Sequence, residues 1–399
     1  MTTISSVLYM ASACRRPSDA GGHEDQASAA HPELPTRATR RQVAVPVGAR
    51  PLDLAAGDLD GDERIDLVSA NGGDQTLSSL LQRDGGWVSA QGSPTAIPTD
   101  THLIALADLD RDRDLDLLST GHDSGGVTVL LGDGHGRFAA APGSPFPAFN
   151  ASHPHNHGLT VGDIDGDGDP DAVVADQDAG QAAVLLADGK GGLGLAPGSP
   201  FTLGGHPYPP TLADLDDDQR LDLIVPLVDD HSIAIMLGAG NGTFAHAPGS
   251  PWRTALARPY AIVVADLDRD GHDDVVAIHD DTDKISAWLG AGDGQLREAP
   301  GSPVSLGRRV WRMSAADIDR DGAVDLVGAG SGSLVVVPGD GRGGLGPAQL
   351  EPLGEGWHAL AVDLDGDGWV DLAAPDSNAG VLRLWLSGTG RISAPQPSR

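Results

Sequence analysis

Short apolar runs recur along the chain, each cut off by a cluster of aspartates or by glycine and proline. Leu103-Ile104-Ala105-Leu106-Ala107 and Ala261-Ile262-Val263-Val264-Ala265 both run into an acidic stretch. A β-prone run leaves the stretch, as in Asp222-Leu223-Ile224-Val225. A third run ends in a Gly-rich turn at Val129-Leu130-Leu131-Gly132, Ile235-Met236-Leu237-Gly238 and Ala287-Trp288-Leu289-Gly290. A fourth short segment closes in Ala-Pro-Gly-Ser-Pro at 141–145, 196–200, 247–251 and 299–303. Runs this short, bounded by turn residues, predict strands.

The acidic stretches share one spacing, Asp-x-Asp-x-Asp-x-x-x-Asp, found seven times. The copies are Asp58, Asp60, Asp62, Asp66; Asp108, Asp110, Asp112, Asp116; Asp163, Asp165, Asp167, Asp171; and Asp214, Asp216, Asp218, Asp222. The remaining three are Asp266, Asp268, Asp270, Asp274; Asp317, Asp319, Asp321, Asp325; and Asp363, Asp365, Asp367, Asp371. Their first aspartates are 46 to 55 residues apart. Four short strands per unit of that length predict an all-β fold, a seven-bladed β-propeller of four-stranded antiparallel blades. The propeller is expected over 41–399, with 1–40 a leader or linker. Gln42-Val43-Ala44-Val45-Pro46-Val47 resembles a fourth strand and is expected to close the ring against the last repeat, with 391–396 as a competitor.

The loops Asp163-Ile164-Asp165-Gly166-Asp167-Gly168-Asp169-Pro170-Asp171 and Asp363-Leu364-Asp365-Gly366-Asp367-Gly368-Trp369-Val370-Asp371 resemble FG-GAP repeats, also called VCBS-type repeats. That family includes the propeller of integrin α-subunits and many bacterial secreted proteins. The resemblance covers about nine-tenths of the chain. It implies a seven-bladed propeller with calcium in the loop between the first and second strands of each blade. It implies no activity, because one fold hosts adhesion modules, lectins and enzymes.

The residues argue for calcium as well. A hard divalent cation takes six or more oxygens, and alternate carboxylates in a tight loop converge on one point. Positions 1, 3, 5 and 9 would supply side chains, and position 7 a backbone carbonyl. Position 7 varies freely: Arg64, Asp114, Asp169, Arg220, His272, Ala323 and Trp369. An EF-hand is excluded, since no Glu stands at position 12. Ordinary Asp-Gly turns are the bland alternative, but four packed carboxylates repel one another without a cation. Up to seven structural calcium ions are expected. Position 6 is Gly in four copies but Glu63, Arg113 and Gln219 in the others, where weaker binding or a different loop is expected.

Composition narrows the function. The 399 residues carry 57 Asp plus Glu against 26 Lys plus Arg, a net charge of −31, which disfavours nucleic acid as a partner. Of the 51 aspartates, 28 stand at the four repeated positions of the seven loops, so the charge is patterned. With 55 Gly and 29 Pro, the composition argues against a helical bundle.

At the other end of each first strand, six residues before the first aspartate, stand Leu52, His102, His157, Tyr208, Tyr260, Trp311 and Trp357. Eight before it stand Arg50, Asp100, His155, His206, Arg258, Arg309 and Glu355. By period-2 alternation both sets point the same way. The face opposite the acidic loops should therefore carry aromatic, His and Arg side chains, suited to a sugar, a carboxylate-bearing ligand or a peptide side chain. Plugging the axis is the structural alternative. The small residues before each loop (Gly57, Ala107, Gly162, Ala213, Ala265, Ala316) fit strands crowding an axis. His153, His155 and His157 alternate as zinc ligands can, although Pro154 and the local insertion favour a solvated loop.

The expected function is recognition or adhesion toward a protein or carbohydrate ligand. A carbohydrate-active lyase or hydrolase on the same face, with Asp100 and Glu355 as its acids, is the alternative. No Ser-His-Asp constellation stands out. The lone Cys14 after Val7-Leu8-Tyr9-Met10-Ala11-Ser12-Ala13 resembles a lipoprotein signal, an imperfect one; a plain leader is the alternative. No transmembrane helix is expected. An exported protein, secreted or a bacterial cell-envelope lipoprotein, fits weak calcium sites.

Overall fold

Seven antiparallel sheets stand around a common axis in a computed structural model that describes residues 40–84, 86–97, 101–150 and 154–388. The first strands of the blades are Pro51–Gly57, Leu103–Ala107, Asn156–Gly162, Thr211–Ala213, Pro259–Ala265, Val310–Ala316 and Leu360–Val362. Successive first strands touch in ring order. In the first five blades a second, a third and a fourth strand follow outward, as in Asp171–Asp176, Gln181–Ala187 and Leu193–Leu195 of blade three. In blade six the second and third strands form one run, Asp325–Val337, whose halves pair with Val310–Ala316 and Gln349–Glu355.

Arg41–Pro46 closes the ring as the outer strand of blade seven, with Arg41 opposite Leu386 and Pro46 opposite Val381. The competing segment 391–396, like Cys14, lies outside the described residues. Among the described residues no helix is long and apolar enough to cross a membrane.

Alternating side chains on each blade make two apolar faces, and each face packs on a neighbouring blade. The core is accordingly split into seven clusters, one per blade interface. The closing cluster joins Val45, Leu54, Leu80, Leu364, Leu382 and Leu384. Burying one such leucine stabilises by about 1.5–3 kcal/mol.

The Gly-Ser-Pro ends of the repeats are structural. Ser144, Ser199, Ser250 and Ser302 each accept, through Oγ, a third-strand amide at 2.6–3.0 Å. Ser93 does the same for Ser79 in blade one, where the motif reads Ala90-Gln91-Gly92-Ser93-Pro94, with Gln91 in place of the first proline.

Two of the small residues before the loops face the next blade. A Cβ on Gly57 would stand 2.5 Å from Leu115 Cδ1, and one on Gly162 would stand 2.6 Å from Leu221 Cδ1. Each cavity holds a leucine from the next blade's acidic loop. At Gly57 and Gly162, blade-to-blade packing leaves no room for a Cβ.

Candidate functional site

Each acidic loop bridges the first and second strands, and all seven share one hydrogen-bond scheme. The ninth aspartate is buried. One of its oxygens accepts the amide of loop position 2, as Asp66 does from Leu59 at 2.9 Å. The other accepts a third-strand amide, as Asp66 does from Gln82 at 2.6 Å. The same pair of bonds holds Asp116, Asp171, Asp222, Asp274, Asp325 and Asp371, the second amide lying just past the third strand, at Gly339 and Ser387, in blades six and seven. Burial pushes these carboxyls up, Asp66 and Asp222 to about 6 and the other five to about 7.

The first aspartate accepts the amide of position 6, and the fifth accepts that of position 7, in every copy. Position 6 is left-handed in all seven loops, including Glu63 (φ 65°), Arg113 (φ 79°) and Gln219 (φ 68°). The expected difference in loop shape is therefore absent: the amide bond to the first aspartate holds the turn even where a side chain strains it.

The donor set fits a hard cation. Carboxylate oxygens of Asp58, Asp60 and Asp62, and those of Asp108, Asp110 and Asp116, each lie within 4.8 Å of one another. Several loop oxygens are buried without a hydrogen-bond partner: Oδ1 of Asp60, Asp108, Asp216, Asp266 and Asp317, and Oδ2 of Asp365 and Asp367. A buried acceptor without a donor is costly, and a cation would satisfy it. Loop one differs, because the Arg83 guanidinium already bridges Asp60 and Asp62.

At the opposite end of the axis the rings form a closed circuit. Trp357 stacks on Trp311 (centroids 5.2 Å apart, 20°), and Trp311 meets Tyr260 at 5.6 Å. Tyr260 meets Tyr208 at 4.7 Å, and Tyr208 stacks on His157 at 4.4 Å. His157 meets His122 at 4.6 Å, and His122 stacks on His102 at 3.8 Å. His102 faces Trp357 at 6.3 Å and closes the circuit past the buried Leu52. The six aromatic members of the first expected set are thus neighbours. His122 is a member that sequence reasoning does not reach, since it enters from the turn after the second strand of blade two and has no place in the first-strand register. Burial, then the neighbouring imidazoles of His122, His155 and His102, pushes His157 down to about 3.

The second set divides. Arg309 lies over Trp311, 5.0 Å from the ring centre, and His155 joins His157 at 4.6 Å. His206 and Arg258 turn to the rim, where His206 pairs with Asp229 at 2.7 Å and Arg258 with Asp280 at 2.8 Å. Arg50 is exposed. Glu355 ends the outer strand of blade six, opposite Ser331. Asp100 and His153 lie outside the described residues. The simple alternation fails for a local reason. Register shifts fall between Pro51 and Asp53, Asn156 and Leu159, Pro259 and Ala261, and Val310 and Arg312. Leu52, His157, Tyr260 and Trp311 are the extra residues at these bulges, and a bulge re-aims its side chain.

The bulges also let the next residue, five before the first aspartate, reach its neighbours. There stand Asp53, Arg312 and His358, in blades one, six and seven, against Leu103, Gly158, Pro209 and Ala261 elsewhere. His358 Nδ1 donates to Asp53 Oδ1 at 2.8 Å, and Arg312 reaches Asp53 Oδ2 at 3.3 Å. The Ile104 amide of blade two also donates to Asp53, at 3.1 Å. Burial lowers Arg312 to about 10; burial and then Arg312 lower His358. Ser314 Oγ stands 3.4 Å from His358 Nε2, which completes the connectivity of a serine–histidine–aspartate relay. The hydroxyl donates to the Ala359 carbonyl at 2.8 Å, however, and His358 and Asp53 are 3% and 2% exposed. The cluster ties blades one, two, six and seven together rather than presenting a nucleophile.

Residues 58–119, 108–174, 163–225, 227–277, 266–328 and 317–374 match the FG-GAP-like repeat family. No curated protein sequence matches the chain. Similar solved structures include the N-terminal part of BBS1 in complex with ARL6 (TM-score 0.60, 14% identity, 89% of this chain and 98% of that one). A streptogramin B lyase is similar at TM-score 0.56 and 14% identity, covering 88% of this chain and 99% of that one. An Agrocybe aegerita lectin that recognises non-reducing terminal N-acetylglucosamine is similar at TM-score 0.52 and 19% identity, covering 78% and 80%. At these identities the likeness is one of fold.

Proposed function

Since the chain belongs to the FG-GAP-like repeat family, we propose that it is a calcium-stabilised propeller that recognises a protein or carbohydrate ligand through the face opposite its acidic loops. The closed aromatic circuit at that face carries the reading. Half-buried ring faces with Arg309 beside them suit a sugar or a carboxylate-bearing group. Similar folds bind a protein in one case and a sugar in another, so the fold itself agrees with recognition without choosing the ligand.

Calcium in this reading is held by aspartates at loop positions 1, 3, 5 and 9, the ninth also fixing the loop through its two amide bonds. It supplies charge neutralisation and cross-linking, not chemistry. An exported location follows as part of the same proposal, because calcium outside cells is abundant enough to fill weak sites.

A glycan and protein ligand screen in calcium buffer tests the reading. A ligand whose affinity falls at least about tenfold in Trp311→Ala or Trp357→Ala is the expected result. Binding indifferent to both changes, or turnover of a bound substrate, would replace it.

A further inference from the structure

Two histidines of the aromatic circuit, His122 and His157, gather with His155 on one side of it. His122 comes from the turn after the second strand of blade two, while His155 and His157 flank Asn156 at the start of blade three. The Asn156 amide donates to the His122 carbonyl at 2.8 Å, and Asn156 Nδ2 donates to the Ser124 carbonyl at 3.1 Å. Those bonds fix the two backbones against each other before any ligand arrives.

One ring nitrogen from each of His122, His155 and His157 lies within 4.8 Å of the other two. The Nε2 atoms of His155 and His157 are 3.1 Å apart. Two imidazole nitrogens on one tetrahedral zinc, at about 2.0–2.1 Å each, stand roughly 3.3 Å apart. On its far side His155 Nδ1 faces Asp178 Oδ1 at 3.4 Å, the outer carboxylate that orients a metal-bound imidazole and raises its basicity. Stacking on Tyr208 and on His102 restricts the rings of His157 and His122.

We propose that His122, His155 and His157 form a binding site for a late first-row divalent metal ion, with zinc as the type ion. Imidazole nitrogen selects such ions over calcium, so this site and the acidic loops differ in chemistry as well as in place. Three protein ligands leave a coordination position for water or an incoming ligand. The site does not depend on whether the aromatic circuit binds a sugar or a protein.

Cobalt(II) titration of the full, metal-stripped chain in calcium-saturated buffer tests the proposal, because calcium occupies carboxylate sites and cobalt reports its geometry. One equivalent should give the intense visible bands of a four-coordinate ion, displaced by one equivalent of zinc. His122→Gln and His157→Gln should each weaken zinc at least about a hundredfold, and Asp178→Asn about tenfold. His135→Gln, an exposed histidine in another turn, should change nothing. Weak six-coordinate bands, or zinc affinity unaltered by His122→Gln, would overturn the assignment. Should His157→Gln fail to fold by circular dichroism, His122→Gln and Asp178→Asn decide the matter.

Discussion

His358 Nδ1 donates to Asp53 Oδ1 at 2.8 Å across the seam where the last blade meets the first, 305 residues away in sequence. With Arg312 on its other oxygen and the Ile104 amide beside it, Asp53 ties three other blades to its own. Asp53→Ala removes the buried carboxylate that meets the His358 imidazole, the Arg312 guanidinium and the Ile104 amide. The expected loss is about 3–5 kcal/mol in denaturant unfolding, far above that of an exposed aspartate such as Asp84.

The same seam confers a pH dependence. The pKa of His358 is lower in the folded protein than the ordinary 6.5, so its unfolded form binds more protons below that pH. Stability from this group is present above about pH 6.5 and is lost as the pH falls toward the folded value. The buried ninth aspartates shift upward and act with the opposite sign, so the effect is read by difference. Wild type should lose more stability than His358→Gln between pH 7 and pH 5 in parallel denaturant titrations. Each tenfold weakening of proton affinity on folding contributes about 1.4 kcal/mol to that difference.

Calcium is expected to raise the thermal midpoint and a chelator to lower it. Each site contributes about 2.7 kcal/mol at a hundredfold excess over its dissociation constant. Loop one should depend least on the ion, since Arg83 already neutralises Asp60 and Asp62. Arg83→Ala should therefore increase the calcium dependence of the midpoint. A midpoint indifferent to chelator would remove the structural role.

Arg113 occupies a left-handed turn (φ 79°) that copies three, five, six and seven fill with glycine. Relief of that strain, about 1 kcal/mol or more, outweighs the extra unfolded-state entropy of glycine. Arg113→Gly should thus stabilise by roughly 0.5 kcal/mol, and Gln219→Gly likewise, in differential calorimetry with calcium present.

The sequence alone determined the number of blades, the placement of the acidic loops and the membership of most of the aromatic circuit; it offered two segments for closing the ring, and the pairing of Arg41–Pro46 with the last blade came from the structure. These are local or periodic properties: an apolar run, a turn and a four-aspartate spacing repeat seven times, and the repeat makes each copy legible in the others. Tertiary structure decided what breaks the period. A bulge at Leu52, Tyr260 and Trp311 replaces alternation with two consecutive residues that both meet neighbouring blades. Asp53, Arg312 and His358 share one register position, yet only ring closure brings the first of them against the last. His122 meets His155 and His157 because adjacent blades present a turn and a strand start at the same height. Neither meeting leaves a periodic trace, because each joins residues from different repeats that the seven copies do not share.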